Sequence, residues 1–212
     1  MILSHRRDDV PPPSLLRSAR RCVIASAAAL LASCGGGGTN PLNNPQDVSN
    51  PAVTSGQHLA FAYFQKCVEP ILFSEISNGT STNSCAGAGC HAQKTGTGGA
   101  FRLELDATPL DVTDPANTAD VIRASDIYKN FYSAQGEVVI GDPIQSKLFQ
   151  KPLVLTVNHG GGKIFTSDTD PNATVFKYWI THPAPDGQDE FSPATYSMFT
   201  PPDPNTGTCN TQ

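Results

Sequence analysis

Methionine and tryptophan are almost missing from this chain: its 212 residues hold two methionines, Met1 and Met198, and one tryptophan, Trp179. A redox or ligand site that needs a thioether therefore has very few candidates. No apolar run is long enough to cross a membrane as a helix. The most continuous, Cys22 to Leu31, is half of the roughly 20 residues a span requires. Basic residues are outnumbered, 14 against 19 acidic, which argues against nucleic acid and anionic lipid as partners. Gly160-Gly161-Gly162 lacks the strand, the following helix and the Lys-Ser/Thr pair of a phosphate-cradling loop. No nucleophile motif of a hydrolase is present, and no internal repeat.

The first residues read as an export signal. Arg17, Arg20 and Arg21 precede the alanine-rich apolar run, and Ala32-Ser33-Cys34 follows. Leu31-Ala32-Ser33-Cys34 is similar to a bacterial lipobox. That resemblance implies cleavage after residue 33 and acylation of Cys34; the alternative is an ordinary signal peptide with an incidental cysteine. Residues 34–54, rich in Gly, Asn, Pro and Ser, read as a flexible tether to an anchored domain. Residues 1–33 carry five arginines and two acids, so removing them leaves nine basic against seventeen acidic residues, a net charge of −8. What remains after the tether is enough for one core.

Export places the remaining cysteines in an oxidising compartment. Cys85-Ala86-Gly87-Ala88-Gly89-Cys90 runs directly into His91. Two thiols followed at once by a histidine read as covalent attachment of haem c. The thiols form thioethers to two vinyl groups, and the imidazole lies under the iron as proximal ligand. The spacer here is four residues where two is usual, and its small residues let the backbone loop beside the macrocycle. Two other readings compete: a Cys85–Cys90 disulfide with His91 incidental, and a zinc site completed by Cys67 or another histidine. With Cys34 acylated and Cys85 and Cys90 on haem, Cys67 and Cys209 are left to pair; a Cys85–Cys90 disulfide balances the count equally well.

Helical signals surround the motif. Ser55 is placed to cap a helix with Ala60, Tyr63, Phe64 and Cys67 on one face and Pro70 as its limit. Phe101, Leu103 and Leu105 alternate with polar residues as an extended segment. Residues 119–133 read as one or two helical pieces. Asp142-Pro143 and Asp170-Pro171 each pair a cap with a proline at the first helical position; Pro152 and Pro183 mark the ends. Residues 191–212 read as an irregular tail, pinned only if Cys209 is bonded.

In order along the chain come Tyr63-Phe64-Gln65-Lys66-Cys67-Val68-Glu69-Pro70-Ile71-Leu72, the cysteine motif, Gly98-Gly99-Ala100-Phe101-Arg102-Leu103, Gly141-Asp142-Pro143 with Ser146-Lys147-Leu148, His159-Gly160-Gly161-Gly162 with Phe165, and Tyr178-Trp179-Ile180. This series resembles bacterial exported cytochrome c-like domains over roughly residues 56–190. The resemblance implies a mainly α, cytochrome c-like helical domain with long irregular loops, spanning 55–190 and holding one haem. In such domains the distal methionine precedes the final helix. Met198 lies after the helix bearing Trp179, and His159 occupies the upstream position. The expected axial pair is therefore His91 and His159, with Met198 as the alternative; His58 and His182 rank lower.

These readings together predict a monohaem c-type cytochrome, an electron carrier and not an enzyme. It would be lipid-anchored on the periplasmic side of the cell envelope and exchange electrons with redox partner proteins. Gly35 after the lipobox cysteine, where some bacteria place a retention aspartate, points to the outer membrane. The alternative is a non-redox, disulfide-stapled envelope lipoprotein; a third reading is an accessory domain of a larger oxidase or dehydrogenase.

Overall fold

The computed structural model describes residues 56–212 except Ala88. The signal segment 1–33, Cys34, the tether 34–54 and the Ser55 cap lie outside the described residues, as does one spacer position of the cysteine motif.

The opening helical stretch is continuous but not uniform. α1 (Phe61–Tyr63) passes into a π-helical turn (Phe64–Val68) and then α2 (Glu69–Phe73). Ala60, Tyr63, Phe64 and Cys67 are buried, but so are Phe61, Ala62 and Val68, so the stretch is enclosed on all sides and presents no single apolar face. Pro70, expected to limit the helix, instead sits inside its first turn at the start of α2. Proline is tolerated at the beginning of a helix because its missing N–H would be unpaired there anyway. The wide turn just upstream shifts the hydrogen-bond ladder and makes Glu69 such a beginning, with its N–H donating to the Phe64 carbonyl.

A short hairpin follows, β1 (Ile76–Ser77) against β2 (Thr82–Asn83). After the motif come α3 (Ala119–Arg123), capped by Thr118, and α4 (Asp126–Gln135), capped by Ser125. Asp142 caps a 3-10 turn (Pro143–Gln145) that leads into α5 (Lys147–Leu153). Pro152, expected as a stop, lies within the last turn of α5, and the chain leaves the helix at Val154 with φ 51°. α6 (Pro171–Thr181) begins at Asp170, whose Oδ1 accepts from the Asn172 N–H at 2.9 Å.

Ala173, Phe176, Trp179 and Ile180 of α6 are fully buried, the spacing of one helix face. Trp179 donates its Nε1–H to the Ala60 carbonyl at 3.0 Å and packs on Phe64 and Phe131, with ring centres 5.4 and 6.1 Å away. The core thus joins the opening helix to α4 and α6.

Residues 191–212 are pinned through Cys209 and carry short elements among irregular segments. A 3-10 helix (Pro193–Met198) leads into β3 (Phe199–Thr200), which pairs with β4 (Thr208–Cys209). A Cys67–Cys209 disulfide ties this hairpin to the opening helix, and Lys66 donates to the Asn205 carbonyl. Met198 and Phe199 are buried in the core, so the described chain does not divide at residue 190. Few large apolar residues mark this region, and its order comes from contacts made across the chain. Among the described residues, no helix is long and apolar enough to cross a membrane.

Candidate haem site

The cysteine motif folds as a chain of tight turns. The His91 N–H closes back on the Cys85 carbonyl at 3.0 Å, and the Cys90 N–H on that of Gly87 at 2.9 Å. Ala86 hangs the loop on α2 by donating to the Leu72 carbonyl at 2.9 Å. The glycine-rich segment after the motif clasps it from outside. Gly98 N–H donates to the Cys90 carbonyl at 2.8 Å, and the Thr97 hydroxyl to that of Gly89 at 2.8 Å. These bonds restrain the wide spacer, which local sequence would leave loose.

Cys85 and Cys90 are not bonded to each other or to any other cysteine. Both border a cavity of about 450 Å³ with His91 and His159, within the size range of sites that take a whole small ligand or cofactor. Burial, reinforced by neighbouring Cys90, pushes the Cys85 thiol up to about 12, so it stands protonated.

His91 is buried against Phe101, ring centres 4.6 Å apart. Its Nδ1 lies 3.0 Å from the Phe101 carbonyl oxygen. A carbonyl only accepts, so Nδ1 carries the proton and Nε2 keeps a free lone pair. Burial holds His91 below the usual imidazole range, with His159, Lys151 and Arg102 acting the same way and the Phe101 carbonyl opposing. His159 repeats the pattern: its Nδ1 is 2.7 Å from the Gly162 carbonyl oxygen. Metal-binding histidines characteristically donate their second ring N–H in this way, which fixes tautomer and orientation.

The two rings are 6.3 Å apart, centre to centre, with planes 17° from parallel. The residue types present are those a haem with two histidine ligands would need: two unbonded thiols, two imidazoles with Nε2 unprotonated, and space bordered by all four. A second, much smaller apolar cavity, about 30 Å³, adjoins the first, and Cys85, His91, His159 and Lys151 border both.

The other sequence candidates lie elsewhere. Met198 borders neither cavity and is packed in the core. His58 faces Glu190, with Nδ1 3.7 Å from its Oε2. His182 stacks on Tyr178, ring centres 3.8 Å apart. Cys67 is held in its disulfide and so offers no zinc ligand, and the described residues contain no group of three or more His, Cys, Asp or Glu arranged to hold a metal ion. Sequence reasoning missed Lys151, the Phe101 and Gly162 carbonyls, and the need for glycine at 98. A Cβ there would lie 2.5 Å from Cε1 of His91. The carbonyls carry no side-chain signal; the run Gly96-Thr97-Gly98-Gly99 was the one visible hint.

No protein-family model, curated protein or solved structure matches the chain.

Proposed function

We propose that the chain is a monohaem c-type cytochrome that carries single electrons in the cell envelope, anchored through an acylated Cys34 and facing the periplasm from the outer membrane. It acts as an electron carrier between redox partner proteins, not as an enzyme. The observation that carries this reading is the pair His91 and His159, 6.3 Å apart with both Nδ1–H groups donated to backbone carbonyls, beside two unbonded thiols.

Haem bound here supplies reversible one-electron iron chemistry. The protein's part is to hold and tune it. Cys85 and Cys90, the two unbonded thiols, would hold the haem through thioethers. His91 and His159 would hold the iron through Nε2, the nitrogen each leaves unprotonated, and their carbonyl partners would raise the basicity of both rings. Two imidazoles in place of an imidazole and a thioether set a lower potential, since methionine raises it. Phe101, Leu72 and Phe176 keep one side of the site apolar.

The test is expression of the full chain with a c-type cytochrome maturation system. The reading expects a reduced α-band, haem that stays on the polypeptide after denaturation, a mass consistent with two thioethers, and no methionine–iron charge-transfer band. Colourless, folded protein with a Cys85–Cys90 disulfide would overturn it. The Cys67–Cys209 disulfide favours the second reading, a stapled binding or structural lipoprotein, in that event.

A further inference from the structure

The two imidazoles are held by unlike means. The His91 ring donates to Phe101, ten residues away, in a segment fixed in turn to α4: the Arg102 N–H donates to Ser133 Oγ at 2.7 Å and the Glu104 N–H to Asn130 Oδ1 at 2.6 Å. The His159 ring donates only to Gly162, three residues along, whose N–H returns to the His159 carbonyl at 2.9 Å. That turn closes on itself. His159 is half-buried, with Asn158, Gly160, Gly162 and Lys163 exposed around it. The loop leaves α5 through Val154 at φ 51°, ψ 50°, a left-handed conformation that a β-branched residue adopts only under strain. Lys151 borders both cavities beside the two histidines.

We propose that His159 is a releasable ligand, and that the position it vacates takes a small anion able to bond iron through one atom, favoured there by Lys151. The inference rests on the haem reading above. The His159 ring bonds only within its own turn, and the loop is tied again just beyond it, where Asn78 donates to the Lys163 carbonyl and the Ile164 and Phe165 N–H groups donate to Pro152; departure of the ring would break one metal–nitrogen bond and leave those ties in place. His91 has no such freedom, because its release would expose a buried ring and strip the Phe101 carbonyl of its donor.

The probe is azide, added to the ferric, haem-loaded full chain and followed by its absorbance spectrum, with imidazole as the neutral comparison. Both should produce saturable changes. His159→Ala removes the internal competitor and should bind azide at least about tenfold more tightly. Gly162→Ala strains the turn at φ +72° without touching the ring, and should shift affinity the same way, about threefold or more. Lys151→Gln should weaken azide several-fold and leave imidazole unchanged. Wild-type affinity equal to that of both His159→Ala and Gly162→Ala would overturn the proposal, since His159 would not be holding the position. So would a wild-type protein that binds neither probe at about a thousand times the concentration that saturates the variants. An unchanged azide affinity in Lys151→Gln would overturn the preference for an anion. Wild-type protein that carries no haem at all would fail the parent reading, a result distinct from each of these.

Discussion

The wall of the cavity that carries His91 and the wall that carries His159 are built from different kinds of contact. On the first, backbone and side chain are tied to distant segments: the motif to α2 through Leu72, the ring to Phe101, and Phe101's segment to α4. On the second, the ring, its acceptor and the returning N–H all fall within four residues, Gly162 stands at positive φ, and the chain enters from a strained valine. Fixity in a protein comes from interactions that close long loops through a packed core. A turn that bonds only to itself keeps its shape but not its place. One site thus carries two imidazoles, one tied to distant segments and one tied only within its own turn.

The largest test removes the longest closure. The Cys67–Cys209 disulfide spans 142 residues and staples the terminal hairpin to the opening helix. Replacing both cysteines by alanine should cost about 3–5 kcal/mol in urea unfolding. Limited proteolysis should gain cuts in residues 193–209, while cleavage within 154–163 proceeds as in the parent protein. Equal acceleration in both places would mean that the two walls share one fixity.

Next in size is a pH effect confined to the fixed wall. Glu69 of α2 is buried and accepts from Asn130 at 2.7 Å, and Asn130 in turn orders the Glu104 N–H. Burial raises its carboxyl from 4.5 to about 7, with Asn130 partly opposing. The folded state then holds this proton more tightly than the unfolded chain. The associated stability is fully present below pH 4.5 and is lost as pH rises through about 7. Integrated, the loss is about 3 kcal/mol at most. Glu69→Gln should flatten stability between those pH values. If parent and variant show the same profile, Glu69 does not titrate inside the wall.

Matched glycine substitutions compare the two rings directly. A Cβ on Gly98 would meet Nδ1 and Cε1 of His91 and the Cys90 carbonyl oxygen, the last at 2.8 Å, and neither the buried ring nor the backbone has room to yield. Gly98→Ala should therefore cost about 1–3 kcal/mol and abolish the protected Nδ1–H resonance of His91 in NMR spectra. A Cβ on Gly161 would come to 3.3 Å from Cε1 of His159, a tight contact that a loosely held ring can relieve. Gly161→Ala should stay within about 0.5 kcal/mol. A large cost at both positions would erase the distinction.

What the sequence discloses follows the same division between local and distant causes. Asp142-Pro143 and Asp170-Pro171 announce their helical turns because cap and proline act within one turn. The Ala60-Tyr63-Phe64-Cys67 spacing located the opening helix but not a face, since Phe61, Ala62 and Val68 between and beside them are buried too. Pro70 misled because a π-helical turn upstream makes its position a helix start, and Pro152 because the helix it was expected to stop runs one residue past it before leaving at Val154. The terminal hairpin was hidden because its order depends on a disulfide and on packing of Met198 and Phe199 against the opening helix. At the site, the side chains were readable and their acceptors were not. Every residue has the carbonyl that Phe101 uses, and only the fold decides which one faces a histidine.

The smallest test concerns the strain at the root of the His159 loop. A left-handed conformation costs a non-glycine residue about 1–2 kcal/mol, and Val154 adopts it while 39% exposed, with little packing to lose on replacement. Asparagine tolerates this region because its short polar side chain bonds locally, and it avoids the extra chain entropy that glycine would bring to the unfolded state. Val154→Asn should therefore raise stability by about 0.5–1 kcal/mol in urea unfolding. Relief of strain would also settle the loop, so azide affinity of the loaded protein should fall slightly while the His91 resonances stay where they are. A rise in stability with unchanged azide affinity would separate the strained valine from the freedom of His159, and leave the self-closed turn alone as the source of the difference between the two walls.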